Sequence, residues 1–280
     1  MPVYDLHQHL WPEPLIEALR ARRDRPRLHG TALELDEGTW QVDVAAHDPA
    51  ARLAALDRNG IDVAVISCPP TLGFDEELTE IYHESILEVV AGAGGRLRAF
   101  ACDLVRDGFA GTSVSAAAVA DLDALAPLLD ELERSGAPLF VHPGPASTPE
   151  GMPAWWPAVV GYTAQMQAAY AGWLAREPGA WPDLRVVFAI LAGGAPIQLE
   201  RFASRGVDSR LLLDANIFLD TASYGDRSLE LALATFGVSQ LVYGSDVPVI
   251  EPEPTLRSVR GFGQAVADAV CRDNPARLLQ

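Results

Sequence analysis

Eight short apolar runs, spread along the whole chain and separated by helix-compatible stretches, constrain this 280-residue sequence more than any other feature. They cover residues 3–9, 62–68 (DVAVISC), 97–103 (LRAFACD), 113–119, 138–142 (PLFVH), 185–191 (RVVFAIL), 216–220 (NIFLD) and 240–246 (QLVYGSD). Continuous apolar runs without strict alternation suit strands buried on both faces, as in a parallel sheet. Helical stretches are expected at 49–58, 76–90, 122–134, 158–176, 196–204, 228–236 and 255–270. The first begins after a capping Asp48 and stops at Asn59-Gly60. Eight such alternations in one domain, spanning 1–280, predict a (β/α)8 TIM barrel of the α/β class. A doubly wound sheet is the competing layout, but no glycine-rich dinucleotide turn follows the first run.

A barrel places its chemistry at the C-terminal ends of its strands. His7 and His9 end the first run, on one face of an extended backbone that Asp5 shares. His142 ends the fifth run just before Pro143-Gly144, and Asp246 ends the eighth. Together His7, His9, His142 and Asp246 form a three-nitrogen, one-oxygen ligand set for one divalent ion, with a position left for water or substrate.

Composition narrows the classes. About half of the residues, 49%, are hydrophobic, enough for a substantial core. A formal charge of −17 argues against a general nucleic-acid or anionic-membrane surface. No lysine occurs, which excludes a Schiff-base lysine, a pyridoxal-phosphate anchor, a P-loop of the usual type and a carbamoylated metal-bridging lysine. Cys68, Cys102 and Cys271 are widely separated and make neither a disulfide framework nor a zinc knuckle. With no signal peptide and no membrane-length run, the expected location is cytoplasmic and the expected partner a small-molecule substrate.

Six pieces of the sequence, in order, carry a resemblance: DLHQHL, DPAARLAALDRNGID, GAPLFVHPG, LRVVFAILAGGAP, LVYGSDVPV and NPARLL. Together they resemble the amidohydrolase superfamily, specifically the amidohydrolase-2 branch with its aminocarboxymuconate-semialdehyde decarboxylase-like proteins. The resemblance implies a distorted (β/α)8 barrel with one divalent metal, often zinc. It assigns His7, His9, His142 and Asp246 as ligands, with Asp246 also a proton acceptor. It further implies a homodimer, by analogy alone. One position departs: the motif ending strand six reads His-x-Gly-Gly in the family but Leu191-Ala192-Gly193-Gly194 here. Leu191 has no donor, acceptor or titratable group.

The leading expectation is a metal-dependent hydrolase in which activated water attacks and Asp246 serves as general base and acid. A non-oxidative decarboxylase on the same site is the alternative, and a metal-poor binding or isomerase protein the third reading. Tyr224 is a hydrogen-bond donor to substrate or a solvent-facing loop residue. Trp155 and Trp156 are expected either to wall an apolar substrate or to pack under a loop. Ser245 is expected to orient Asp246. Cys68 is a buried small residue at a strand end, or a substitute for the lost histidine. His29, His47 and His83 are read as surface or capping residues. Arg20, Arg22, Arg23, Arg25 and Arg27 either recognise a carboxylate on a small cyclic or unsaturated acid or form a solvated face.

Overall fold

The computed structural model describes residues 1–280, the side chain of Ser209 excepted. In chain order its main elements are β1 (Tyr4–Gln8), α1 (Glu13–Ala21), β2 (Arg27–His29), β3 (Ala32–Leu35), β4 (Gly38–Gln41), α2 (Pro49–Asn59) and β5 (Val63–Ile66). Then come α3 (Glu76–Gly92), β6 (Leu97–Ala99), β7 (Ala101–Cys102), β8 (Thr112–Ser115), α4 (Leu122–Ser135), β9 (Leu139–His142) and α5 (Tyr162–Leu174). The last third holds β10 (Val186–Phe188), α6 (Ile190–Ser204), α7 (Ser209–Leu212), β11 (Ile217–Asp220), α8 (Asp226–Phe236), β12 (Leu241–Val242) and α9 (Pro252–Gly261).

Two arcs of parallel strands make up the barrel: β1–β5–β6, and β12–β11–β10–β9–β8–β7. They join at both ends. β6 and β7 are one strand interrupted at Phe100, whose amide donates to Ile66 O at 2.8 Å. At the other seam Leu6 N donates to Tyr243 O (2.9 Å), Asp246 N to His7 O (2.7 Å) and His9 N to Val247 O (2.7 Å). The expected (β/α)8 barrel is therefore present, with its core in the fully buried runs 63–66, 139–142, 186–188 and 217–220. The fourth strand is shorter than the 113–119 run suggests, because residues 118–120 turn into a 3₁₀ segment. Among the described residues no helix is long and apolar enough to cross a membrane.

One feature escaped the sequence reading. Residues 27–41 form an antiparallel three-stranded sheet, β2–β3–β4, inserted between α1 and α2. Its inward leucines are Leu28, Leu33 and Leu35, all buried. The tip of the β3–β4 hairpin carries Glu37, a buried carboxylate that accepts from Ala146 N (3.0 Å) and from the Tyr162 hydroxyl (2.6 Å). The insert is thus pinned to the loop that follows His142, over the C-terminal end of the barrel.

A second feature is the start of α6. Ile190, Leu191, Ala192, Gly193 and Gly194 all lie in the left-handed region, with φ of 47, 49, 50, 65 and 99°. Each side chain with a Cβ costs roughly 1–2 kcal/mol there. The segment is held by Gln167 Nε2 donating to Gly193 O (2.6 Å) and by Thr163 backbone packed where a Cβ of residue 193 would lie. Because glycine pays no such penalty, Ala192→Gly should raise stability by about 1 kcal/mol and the melting temperature by about 2 °C. Ala54→Gly in the middle of α2 should do the reverse by a similar amount. Calorimetric melts of both variants check this; a loss at both positions would show that the left-handed turn carries no strain.

Candidate metal centre

β1 is buried along all five positions, so its alternating side chains must go into the barrel or into the layer outside it. His7 and His9 project to the same place, where His142 from β9 and Asp246 from the loop after β12 meet them. One ligand-type atom from each of these four residues lies within 4.8 Å of the others. His9 Nε2 stands 3.2 Å from His7 Nε2 and 3.0 Å from Asp246 Oδ1.

The orientation of each imidazole is set by its other nitrogen. His7 Nδ1 lies 2.5 Å from Asp220 Oδ2, His9 Nδ1 2.8 Å from Ser67 O, and His142 Nδ1 2.9 Å from Pro143 O. All three partners are acceptors, so each Nδ1 bears the proton in a neutral ring. Each Nε2 then offers a lone pair toward the common point, the tautomer a divalent ion needs. The donor set and its bracing therefore fit such an ion.

Burial decides the electrostatics. For His7 it opposes charge, but the carboxylates of Asp220 and Asp246 outweigh it and lift the imidazole from 6.5 to about 9. Burial lowers His142 well below its ordinary value, and positive charge on His7 and His9 adds to that effect. Burial would raise Asp246, yet the three surrounding imidazoles hold its carboxyl below the usual range. Asp246 also sits at φ 64°, a conformation costly for a residue with a Cβ and common at functional loops. Its side chain is 14% exposed, against 0% for His7 and 3% for His9, so Asp246, the oxygen donor of the centre, is more open than either imidazole.

Asp220 is the residue the sequence reading missed. It terminates the apolar run NIFLD, as the histidines and Asp246 terminate theirs, and is wholly buried. Gly244 makes room for it: a Cβ there would overlap Asp220 Oδ1 and lie 2.7 Å from the Cβ of His7. Arg52 was missed too. Its guanidinium, 2% exposed, donates to Gln8 Oε1, His9 O and Ala46 O, each at 3.0 Å, and so fixes β1 from outside the barrel.

The other candidates separate. Asp5 is not among the four converging donors; it accepts from His7 N (3.2 Å), Gln8 Nε2 (2.7 Å) and Ser245 N (3.0 Å), tying β1 to the Asp246 loop. Burial pushes its carboxyl up to about 6. Ser245 Oγ accepts from Val247 N (3.3 Å), bracing the loop backbone rather than the Asp246 carboxylate. Leu191 is 1% exposed and packs into the core. Tyr224 is partly buried against the same core. Trp155 is 53% exposed and stacks on Trp156 with centroids 6.1 Å apart; neither lines the cavity bordered by Cys68, Cys102 and Ser113.

Two histidines expected at the surface are buried. His47 accepts from Trp11 N (3.1 Å) and stacks on its indole, and burial with the Arg52 charge drives it down to about 3. His83 Nε2 accepts from Cys102 N at 2.9 Å. The arginine run is largely consumed by the chain's own carboxylates. Arg20 pairs with Glu17 (2.6 Å), Arg22 with Asp75 (2.7 Å) and Arg27 with Glu34 (2.8 Å), which leaves the carboxylate-recognition expectation without support.

Residues 4–280 match the family model described as Amidohydrolase. The chain belongs to the amidohydrolase family. A curated relative of this amidohydrolase chain is 2-amino-3-carboxymuconate-6-semialdehyde decarboxylase of Dictyostelium discoideum, 23% identical over 88% of this chain and 78% of the relative. Among solved structures, Metarhizium anisopliae IDCase in apo form superposes with a TM-score of 0.80 at 19% identity, covering 99% of this chain and 97% of that one. The 5-carboxyvanillate decarboxylase of Novosphingobium aromaticivorans, solved with bound manganese and a nitrobenzoic acid, superposes at 0.72 and 12% identity over 99% and 97%. At these identities the solved structures speak for the barrel alone.

Proposed function

We propose that this amidohydrolase-family chain is a metal-dependent, non-oxidative decarboxylase of a small carboxylated aromatic or unsaturated acid, rather than the hydrolase first expected. The observation that carries the reading is the proton inventory of the centre. Asp246 is its one partly open carboxylate, and Leu191 brings no second proton-handling group at the end of β10. Hydrolysis would require Asp246 alone both to take a proton from water and to return it to a leaving group, with no second group to polarise or steer. Decarboxylation asks for one proton, placed on the carbon that carbon dioxide leaves. The decarboxylase activity named for the curated relative points the same way.

His7, His9 and His142 through Nε2, and Asp246 through a carboxylate oxygen, would hold the ion; zinc or manganese suits imidazole and carboxylate donors. When bound, the ion supplies a Lewis acid that fixes and polarises an oxygen of the substrate. Asp220, Ser67 and Pro143 keep the three imidazoles aimed. Asp246, ionised in the resting centre, would take up one proton from solvent at its free oxygen and pass it to the substrate carbon, so that R–COO⁻ plus H⁺ gives R–H and carbon dioxide.

Metal-loaded protein incubated in deuterated water with a panel of benzoic and unsaturated carboxylic acids should release carbon dioxide and leave one deuterium on the carbon. Hydrolysis of esters, lactones or amides with no carbon dioxide from any acid would overturn the reading.

A further inference from the structure

Two of the three cysteines meet on the wall of one cavity. It has a volume of about 180 Å³, lies at the C-terminal ends of β5, β7 and β8, and is lined in part by Cys68, Cys102 and Ser113. β5 and β6 pair with Ile66 opposite Ala99, and one residue is spent where the strand is interrupted at Phe100. That register sets Cys68 beside Cys102. Hydrogen-bonded strands lie about 4.8 Å apart, inside the roughly 4.4–6.8 Å between Cα atoms that a disulfide spans. The cavity has room for several waters, and so for hydrogen peroxide.

The two thiols are unequal. Cys68 is 3% exposed and donates to the sulfur of Cys102, which is more open. That bond, with the neighbouring His83 imidazole, outweighs burial and brings the Cys102 thiol down from 9.0 to about 7. Burial, and the proton it shares toward Cys102, push the Cys68 thiol well above its ordinary value. His83 Nε2 also accepts from Cys102 N at 2.9 Å, which fixes the backbone under the more acidic thiol. Ser113 pairs in register with Cys102 across β7 and β8, so both side chains take the same face. Its hydroxyl is buried, 2% exposed, and has no hydrogen-bond partner. A buried hydroxyl left unpaired beside a cavity points to a small polar molecule that completes it.

We propose that Cys68 and Cys102 form an oxidation site for small hydroperoxides, in which Cys102 attacks, Ser113 donates to the departing oxygen and Cys68 closes a disulfide. In the first step the Cys102 thiolate attacks one oxygen of hydrogen peroxide. An S–O bond forms, the O–O bond breaks, and hydroxide leaves to become water, giving a sulfenic acid. In the second step the Cys68 sulfur attacks the sulfenic sulfur. The S–S bond forms, the S–O bond breaks, and the hydroxyl departs as water with the Cys68 proton. Overall two thiols and one peroxide give one disulfide and two waters, and a thiol reductant reverses the bridge. The inference goes beyond the decarboxylase reading and does not depend on it.

The test is peptide mapping of the reduced, full-length protein after exposure to hydrogen peroxide in modest excess, with remaining thiols blocked before unfolding. Cleavage at arginine places Cys68 in the peptide 59–96, Cys102 in 99–106 and Cys271 in 261–272. The 59–96 and 99–106 peptides should emerge joined, lighter by two hydrogens, and should separate on adding dithiothreitol. Cys271 is the internal control: it is buried, lies off the cavity, and burial pushes its thiol up to about 12, so it should stay reduced. Cys102→Ser and Cys102→Ala should each slow oxidation of Cys68 by about a hundredfold. Cys68→Ala should leave a sulfenic acid on Cys102 that dimedone captures. Ser113→Ala should slow the first step by about fivefold, with no fall in melting temperature because the hydroxyl it removes is unpaired. Oxidation of Cys271 as fast as of the pair, or sulfinic acids with no joined peptide, would overturn the assignment. A rate unchanged in Ser113→Ala would remove Ser113 from it.

Discussion

Protein carrying His142→Ala or Asp246→Asn should lose its divalent ion, whereas the unaltered protein should hold about one equivalent after gentle purification. Four donor residues, each with one ligand-type atom within 4.8 Å of the others, would hold the ion together, and deleting one leaves three. The two variants should differ in a second respect. His142 lies neutral and fully packed, with burial and two imidazoles opposing its charge, so its loss removes a ligand and opens a void. Asparagine in place of Asp246 keeps shape but gives up charge and the proton site. At saturating added metal, His142→Ala should recover part of its activity. Asp246→Asn should stay down by about 10²–10⁴-fold, the usual worth of a positioned proton-transfer group. Elemental analysis beside turnover, with and without added zinc or manganese, checks both. Equal metal content in all three proteins would remove the centre from consideration.

What the sequence reveals here follows from how local each signal is. The barrel strands are fully buried runs whose period and length do not depend on partners far along the chain, so 139–142, 186–188 and 217–220 are legible as written. The four donors are legible because each closes such a run. Asp220 obeys the same rule, but its role exists only through His7, 213 residues away, and nothing local separates it from a capping aspartate. The β2–β4 insert left a faint trace in Leu28, Leu33 and Leu35 around Gly30 and Gly38, with φ of 62 and 149°. The crowd of arginines there reads as a charged helix face, since their partners Glu34 and Asp75 come from elsewhere in the chain. His47 and His83 were misplaced for a related reason: a histidine that serves as a buried acceptor for a backbone amide carries no mark in its neighbours.

Asp220→Asn should weaken metal binding by about 10–100-fold and also change its pH dependence, and the second effect is the more telling. In the metal-free protein Asp220 is the largest influence raising His7, which stands at about 9 against an ordinary 6.5. A raised histidine stabilises the fold while it is protonated in the native state. That contribution is full below pH 6.5 and disappears as the pH climbs through 9. Stripped protein should therefore lose stability across pH 6.5–9, by an amount on the order of 3 kcal/mol at 1.36 kcal/mol per pH unit. The ion competes with the same proton, so apparent metal affinity should rise through that window as His7 gives it up. Without the Asp220 charge, burial dominates His7 and its titration moves down. Asp220→Asn should then show a flatter stability profile above pH 6.5 and an affinity that reaches its plateau at lower pH. The plateau should also be lower, because asparagine no longer holds the imidazole with a charged acceptor. Competition titrations with a chelator, and chemical denaturation of stripped protein at each pH, measure both curves. If the variant binds metal more weakly but with the unaltered pH profile, Asp220 orients His7 without tuning it, and the raised imidazole must owe its charge to Asp246.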